Sequence, residues 1–283
     1  MRDYFCGWYY KCQQGNNTLA LIPSVHRVGN EYSGALQILT EEGAWSTKLP
    51  WELTPRIYKH GALKAGGNSF GPDGIKLNIR TGRLSAEGEL RFGTLRPLRY
   101  DIMGPFAAVP FMECRHSVVS MLHSVSGEVR INGAACIFSN AAGYIEGDRG
   151  HSFPGEYLWT HCFFEGGSLM LSVAEIPFAG MTFTGVIGVL LYRGKEYRIA
   201  TYLGAKTVKL SNGEVEVRQG KWTLYAKLLE RKPSPLLAPV GGAMSRIVHE
   251  SAACRAEYRF SIDGDTVFAF ETDKASFEYE YSK

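Results

Sequence analysis

Short runs of alternating polar and apolar residues, separated by turn residues, recur along almost the whole chain. In the first half they cover residues 18–26, 32–39, 74–80 and 84–91. In the second half, Asn212-Gly213 and Asp263-Gly264 each separate two such runs, and these dipeptides tolerate the positive φ of a type I′ hairpin turn. A period of two indicates β-strands. The pattern therefore predicts an all-β protein with very little helix.

The number of short strands favours two antiparallel β-barrels or sandwiches over one. The 283 residues include 32 glycines, which fits a chain dense in turns. We predict an N-terminal domain over 1–135 and a C-terminal domain over 136–283, with the break within 100–140. Residues 5–8 and 145–148 resemble each other at an offset of about half the chain, through tandem duplication or through chance. Residues 236–246 are predicted to form a short helical or irregular connection.

Charge and hydropathy exclude several classes of protein. The 31 basic and 28 acidic residues nearly cancel, so the chain has no general attraction for nucleic acid or for a membrane surface. The longest apolar run, 182–192, is too short to span a bilayer, and residues 1–12 lack the apolar core of a secretory signal. We therefore expect a cytoplasmic protein with at most peripheral membrane contact, and the sequence leaves its oligomeric state open.

Two neighbouring segments combine acids with aromatic residues. A two-residue repeat places one set of these residues on one face of the first strand and a second set on one face of the next strand. If the two strands pair, both sets line a common wall. A carboxyl group in such a desolvated wall has a raised pKa and can donate a proton, while aromatic faces stabilise a carbocation. The two sets are Tyr144, Glu146 and Asp148, and Tyr157, Trp159 and His161.

A structural interpretation of the same residues stays open. Glu146 and Asp148 can simply pair with Arg149 or Arg115, and aromatic residues on strands are often core residues. Glu113 can likewise form only an ion pair with Arg115. The six cysteines form no CxxC pair and the histidines form no HExxH motif, so we predict no metal site. No phosphate-binding glycine motif is present, so a nucleotide-binding function loses its main support. We predict no cofactor.

Three motifs resemble those of the tocopherol cyclase family, whose relatives are the AttH-like and carotenoid-hydratase-like proteins. They are Phe5-Cys6-Gly7-Trp8-Tyr9-Tyr10-Lys11, residues 110–116 (PFMECRH), and the block from Tyr144 to Trp159. The resemblance implies two lipocalin-like barrels and an apolar site. It also implies a reaction without a redox cofactor, in which an acid protonates the alkene of a prenylated hydroquinone and the phenolic oxygen captures the cation.

The resemblance carries over some residues and not others. Glu146 and Gly150 match the family pattern, whereas Cys6 replaces a Glu and Asp148 does not map to a family acid. An acid role for Asp148 therefore rests on local physics. The predicted catalytic residues are Glu146 and Asp148, and the predicted substrate-binding residues are Trp8, Tyr10, Glu113, His116, Tyr144, Phe153, Trp159 and His161.

Two functional hypotheses follow. The first is an acid-catalysed intramolecular cyclase or hydratase that acts on an apolar isoprenoid, and the second is a lipocalin-like carrier that binds a hydrophobic ligand without turnover. Both imply an apolar, lipid-like small molecule as the partner, and neither involves nucleic acid.

Overall fold

The computed structural model describes residues 3–50, 63–110, 112–178 and 180–281; Phe111 of the 110–116 motif lies outside them. Nearly all of this part of the chain is antiparallel β-sheet, and it contains only two short 3₁₀ segments, Gly104–Ala108 and Thr201–Leu203. No helix in it has the length and hydrophobicity that crossing a bilayer requires. The all-β prediction with two large antiparallel sheets is confirmed.

The strands of the first sheet are β1 (Tyr4–Gln14), β2 (Asn17–Val28), β3 (Glu31–Thr40), β4 (Gly43–Leu49), β5 (Leu63–Ala65), β6 (Asn68–Gly71), β7 (Gly74–Arg80), β8 (Ser85–Phe92), β9 (Cys114–Ile131) and β10 (Ala134–Gly150). Their order is β4-β3-β2-β1-β10-β9-β8-β7-β6-β5. One apolar cluster receives side chains from all ten strands, so the sheet curves around a single core.

The second sheet repeats this order. Its strands are β11 (Tyr157–Phe164), β12 (Gly167–Phe178), β13 (Met181–Tyr192), β14 (Lys195–Ala200), β15 (Lys206–Ser211), β16 (Glu214–Gln219), β17 (Trp222–Glu230), β18 (Ser234–Val240), β19 (Ala243–Ile262) and β20 (Asp265–Tyr279). The order is β14-β13-β12-β11-β20-β19-β17-β16-β15, and β18 pairs with β19. In each sheet the first and last strands are neighbours.

The local turn predictions are confirmed. Asn212 and Gly213 have φ values of 52° and 76°, and Asp263 and Gly264 have 54° and 92°. These left-handed conformations are those of a type I′ hairpin. They join β15 to β16 and β19 to β20.

The division into units differs from the predicted 1–135 and 136–283. The first unit contains residues 1–101, 113–153 and 237–246, and the second contains 102–112, 154–236 and 247–283. Strand β10 lies wholly in the first sheet because it pairs with β1. The similar segments 5–8 and 145–148 therefore lie on two paired strands of one sheet, with Trp8 opposite Gly147, and do not open separate tandem units.

Residues 236–246, predicted as a helical or irregular connection, belong to the hairpin of β18 and β19. Its tip, 237–246, packs within the first unit. The Gln37 side chain holds it by two hydrogen bonds: Nε2 donates to the Leu237 carbonyl at 2.9 Å, and the Leu237 amide donates to Oε1 at 2.7 Å. The prolines Pro235 and Pro239 exclude a helix here but are compatible with the edge strand β18.

We predict that Gln37→Met lowers the free energy of unfolding by about 1–3 kcal/mol, because it leaves two peptide groups unpaired beside a buried side chain. Gln14→Met is the matched control. Gln14 makes the same two hydrogen bonds to Ser139 at an exposed position, where water replaces them, and the cost is less than about 0.5 kcal/mol. Urea unfolding measures both variants, and equal costs would contradict the role of burial.

Candidate functional site

Strand β10 places acids and a phenol on the sheet face that points away from the apolar core. Ile145 lies in the core cluster, so the alternating Tyr144, Glu146 and Asp148 point to the opposite side. The Tyr144 hydroxyl donates a 2.6 Å hydrogen bond to Glu146 Oε2. The prediction that these three residues share a strand face is confirmed.

Strand β9 supplies a histidine to the same face. The register sets His116 directly opposite Asp148, with Nδ1 3.0 Å from Asp148 Oδ1. The other ring nitrogen, Nε2, lies 3.2 Å from Glu146 Oε2. The imidazole is therefore held between two carboxylates from the neighbouring strand.

This arrangement determines the protonation state of His116. Burial by itself lowers the pKa of His116, but the Asp148 and Glu146 carboxylates outweigh it and hold that pKa well above its ordinary value near 6.5. We therefore treat His116 as an imidazolium at neutral pH. The sequence offered Arg149 or Arg115 as partners of these carboxylates; the structure adds His116 as a partner of both.

Two further groups extend the cluster. Cys114 Sγ lies 3.4 Å from Asp148 Oδ1, and burial together with this carboxylate raises the pKa of the Cys114 thiol. Burial and the Glu146 carboxylate likewise raise the pKa of Tyr144. The thiol and the phenol therefore both stay protonated, and hydrogen-bonded or ionic contacts run from Cys114 through Asp148, His116 and Glu146 to Tyr144.

Strand β1 adds a buried lysine that sequence reasoning missed. Lys11 is opposite Tyr144, so both point to the same side of the sheet, and Lys11 is fully buried. Tyr9 is opposite Glu146 in the same way. The sequence contained a signal for this position. Lys11 is an even number of residues from Phe5 and Tyr9, so the three share one face of β1, and the core residues lie on the other face.

The other predicted substrate-binding residues of the first unit have different surroundings. Trp8 and Tyr10 point into the apolar core, on the other side of β1 from the cluster. Glu113 precedes β9, and its carbonyl accepts hydrogen bonds from the amides of His151 and Ser152. Phe153 packs edge-to-face on Phe5 at 5.4 Å.

Trp159 and His161 belong to the second unit. Strand β11 pairs with β12 and β20 and not with β10, so the expected common wall of paired strands is wrong. The two strands are consecutive in the chain, but β10 is the last strand of one sheet and β11 is the first of the next.

The second unit has its own polar face on the side of β11 opposite to its core. Trp159 is opposite Glu278, and Glu278 is opposite the fully buried Glu250. The Tyr157 hydroxyl donates a hydrogen bond to Glu278, and His161 is fully buried on the same strand face. Neither glutamate was predicted from the sequence, because a lone Glu in a strand carries no signal until its strand neighbours are known.

The first cluster also contains donor atoms of the kinds that bind metals. Its histidine nitrogen and carboxylate oxygens lie within 4.8 Å of one another in His116, Glu146 and Asp148. Each ring nitrogen of His116 faces a different carboxylate. The three side chains therefore form an ion-pair cluster, and their donor atoms are also close enough together to hold one cation.

Comparison with solved structures gives the fold of the whole chain. Kievitone hydratase from Nectria haematococca superposes with a TM-score of 0.58 at 9% identity, over 98% of this chain and 89% of that one. CghA with Sch210972 gives 0.64 at 11% identity, over 99% and 89%. An AttH-like protein from Nitrosomonas europaea gives 0.53 at 11% identity, over 100% and 94%.

No protein-family model matches the chain, and no curated protein matches it in sequence. At these identities the structural comparisons establish a shared fold, and that fold agrees with the AttH-like, lipocalin-like relatives expected from the motifs. They do not show a tocopherol cyclase. The chain has the two-sheet β fold of kievitone hydratase, CghA and the AttH-like protein.

Proposed function

We propose that this protein is an enzyme that adds an O–H bond, from a phenol or from water, across the alkene of an apolar isoprenoid substrate, with His116 as the acid. The single observation that carries the proposal is the imidazole of His116 held between Glu146 and Asp148. The first candidate reaction is the tocopherol-cyclase-like ring closure of a prenylated hydroquinone. Hydration of the same alkene is the alternative outcome.

The chemistry balances without a cofactor. His116 gives its proton to the less substituted alkene carbon, which leaves a tertiary carbocation and a neutral imidazole. The phenolic oxygen forms a bond to the cation, and its proton returns to the imidazole, so the product is an isomer of the substrate. If water attacks in place of the phenol, the product is a tertiary alcohol and the proton returns in the same way.

A strongly held proton is ordinarily a poor acid for an alkene, but here the step conserves charge. An imidazolium and a neutral alkene become a neutral imidazole and a carbocation. One positive charge therefore faces Glu146 and Asp148 both before and after proton transfer. The two carboxylates that favour the protonated form of His116 also stabilise the carbocation, provided that it forms close to them.

The surroundings of the cluster support an apolar substrate. The rings of Phe5 and Tyr9 lie on the same face of β1 as the cluster, and Phe153 packs against Phe5. Aromatic faces attract cations and so favour the carbocation over the ground state. The name of one structural neighbour, kievitone hydratase, denotes the addition of water, which is the alternative outcome proposed here.

The proposal predicts a chromanol from a prenylated hydroquinone, or an alcohol that carries the oxygen of isotopically labelled water. His116→Gln should lower kcat by about 100- to 10,000-fold, because the positioned proton is lost. Chromatography with mass spectrometry identifies and quantifies the product.

His151→Gln is the matched control, since within the described residues the His151 side chain forms a hydrogen bond only with the neighbouring Ser152 hydroxyl, and its kcat should stay within about twofold of wild type. Full activity of His116→Gln, with an unchanged fold by circular dichroism, would exclude His116 as the acid. Saturable binding of the hydroquinone without any turnover would favour the hydrophobic carrier.

The cluster also predicts an unusual titration. Because its pKa is raised in the folded state, His116 should stay protonated through neutral pH, and its ion pairs stabilise the fold fully below pH 6.5. That contribution is lost as the pH rises through the folded pKa. The imidazole resonances of His116 in nuclear magnetic resonance spectra report this transition directly.

Glu146→Gln or Asp148→Asn removes one of the two anions and should move the pKa of His116 down. The high-pH limb of the activity profile should move with it. Glu89→Gln, which alters an exposed ion pair with Arg91, should leave both unchanged. An ordinary pKa for His116 in the wild type would contradict the electrostatic basis of the site.

A further inference from the structure

The second unit contains a cavity of about 580 Å³ that the proposed reaction does not use. It lies beside the first half of β13, the turn after β14 and strand β15. Its lining includes Phe183, Ala205, Lys206, Thr207, Lys209 and Leu210. Ligand cavities in proteins typically measure roughly 300–1,000 Å³, so this one accommodates an organic molecule.

The cavity exists because two strand edges are left unpaired there. Strand β14 pairs with β13 only over Ile187–Tyr192, so residues 181–186 have a partner on the β12 side alone. In the part of the chain that the structure describes, strand β15 pairs only with β16. The Val186 amide is satisfied by the Thr201 hydroxyl at 2.8 Å, which fixes the turn that forms one wall of the cavity.

A β-bulge shapes the opposite wall. Thr207 pairs with Val217 and Lys209 pairs with Glu216, which leaves Val208 as an extra residue. Bulges redirect side chains and occur often beside binding sites. The Thr207 hydroxyl oxygen here is shielded from solvent and has no hydrogen-bond partner among the residues the structure describes. An unsatisfied buried hydroxyl costs free energy, which a bound acceptor would recover.

The charges of the lining residues favour a negatively charged ligand. Its two ionisable residues are both lysines, and none of the lining residues is acidic. Lys209 pairs with Glu214 at 2.6 Å, whereas Lys206 forms no ion pair in the described part of the chain. The apolar part of the lining centres on Phe183, whose ring stacks with Phe106 at 6.2 Å.

We propose that this cavity binds an amphipathic carboxylate, with the carboxylate at Lys206 and the Thr207 hydroxyl and the apolar body against Phe183, Ala205 and Leu210. The Thr207 hydroxyl donates a hydrogen bond to the carboxylate, and the Lys206 ammonium group provides the countercharge. The site is separate from the His116 cluster and does not depend on the proposed reaction.

Calorimetric titration of the full chain with decanoate tests the site. We expect one molecule bound per chain, and at least tenfold weaker binding of decanol, which lacks the charge. Thr207→Val keeps the side-chain shape but removes the hydroxyl, and it should weaken decanoate binding about fivefold. Lys206→Gln should weaken it by a similar factor.

Three controls separate this cavity from other sites. Thr182→Val changes an exposed threonine of β13 outside the lining, and Lys221→Gln changes an exposed lysine near Asp263; both should bind decanoate like wild type. His116→Gln should also bind like wild type, because the catalytic cluster is not involved. Absence of saturable binding, equal binding of decanol, or full binding by both Thr207→Val and Lys206→Gln would overturn the proposal.

Discussion

The pairing of the first strand with the last in each sheet is the constraint on which the rest of the molecule depends. Strand β1 pairs with β10, more than a hundred residues later in the chain, and β11 pairs with β20 in the same way. This pairing lets each sheet curve around one core. It also places β10 between β1 and β9, so that Glu146 and Asp148 lie beside His116 and Tyr9.

The repeated strand order makes positions in the two units comparable. Tyr9 lies five residues before Gln14, the last residue of β1, and Trp159 lies five residues before Phe164, the last residue of β11. Their cross-strand partners are Glu146 and Glu278. Each sheet therefore has a glutamate at the same place in its last strand, on the face opposite to its core, and each glutamate accepts a hydrogen bond from a tyrosine.

Local sequence signals predicted much of this fold. Alternation and turn dipeptides identified the strands and the hairpins, because those features depend on neighbours within a few residues. The order of strands, the division into units and the pairing of β10 could not be read this way. A hairpin signal shows which consecutive strands pair, but no local feature of the sequence shows that β1 pairs with the distant strand β10.

Local sequence signals likewise predicted only part of the candidate site. Parity along β10 correctly placed Tyr144, Glu146 and Asp148 on one face. His116 was assigned to substrate binding, because only the β9–β10 register brings its ring between two carboxylates. Trp8 and Tyr10 have the opposite parity on β1 from Lys11, and the sequence does not state which of the two faces meets the core.

The hydrogen bonds of Gln37 have a consequence for biosynthesis. The peptide group of Leu237 is two hundred residues away in sequence, yet it packs within the first unit. On a ribosome, the first sheet can form as soon as β10 emerges, but its face beside β3 stays uncovered until most of the second sheet has been translated. The first unit is thus completed only after residues 237–246 have been translated, and a fragment cut after residue 153 lacks the hydrogen-bond partner of that glutamine.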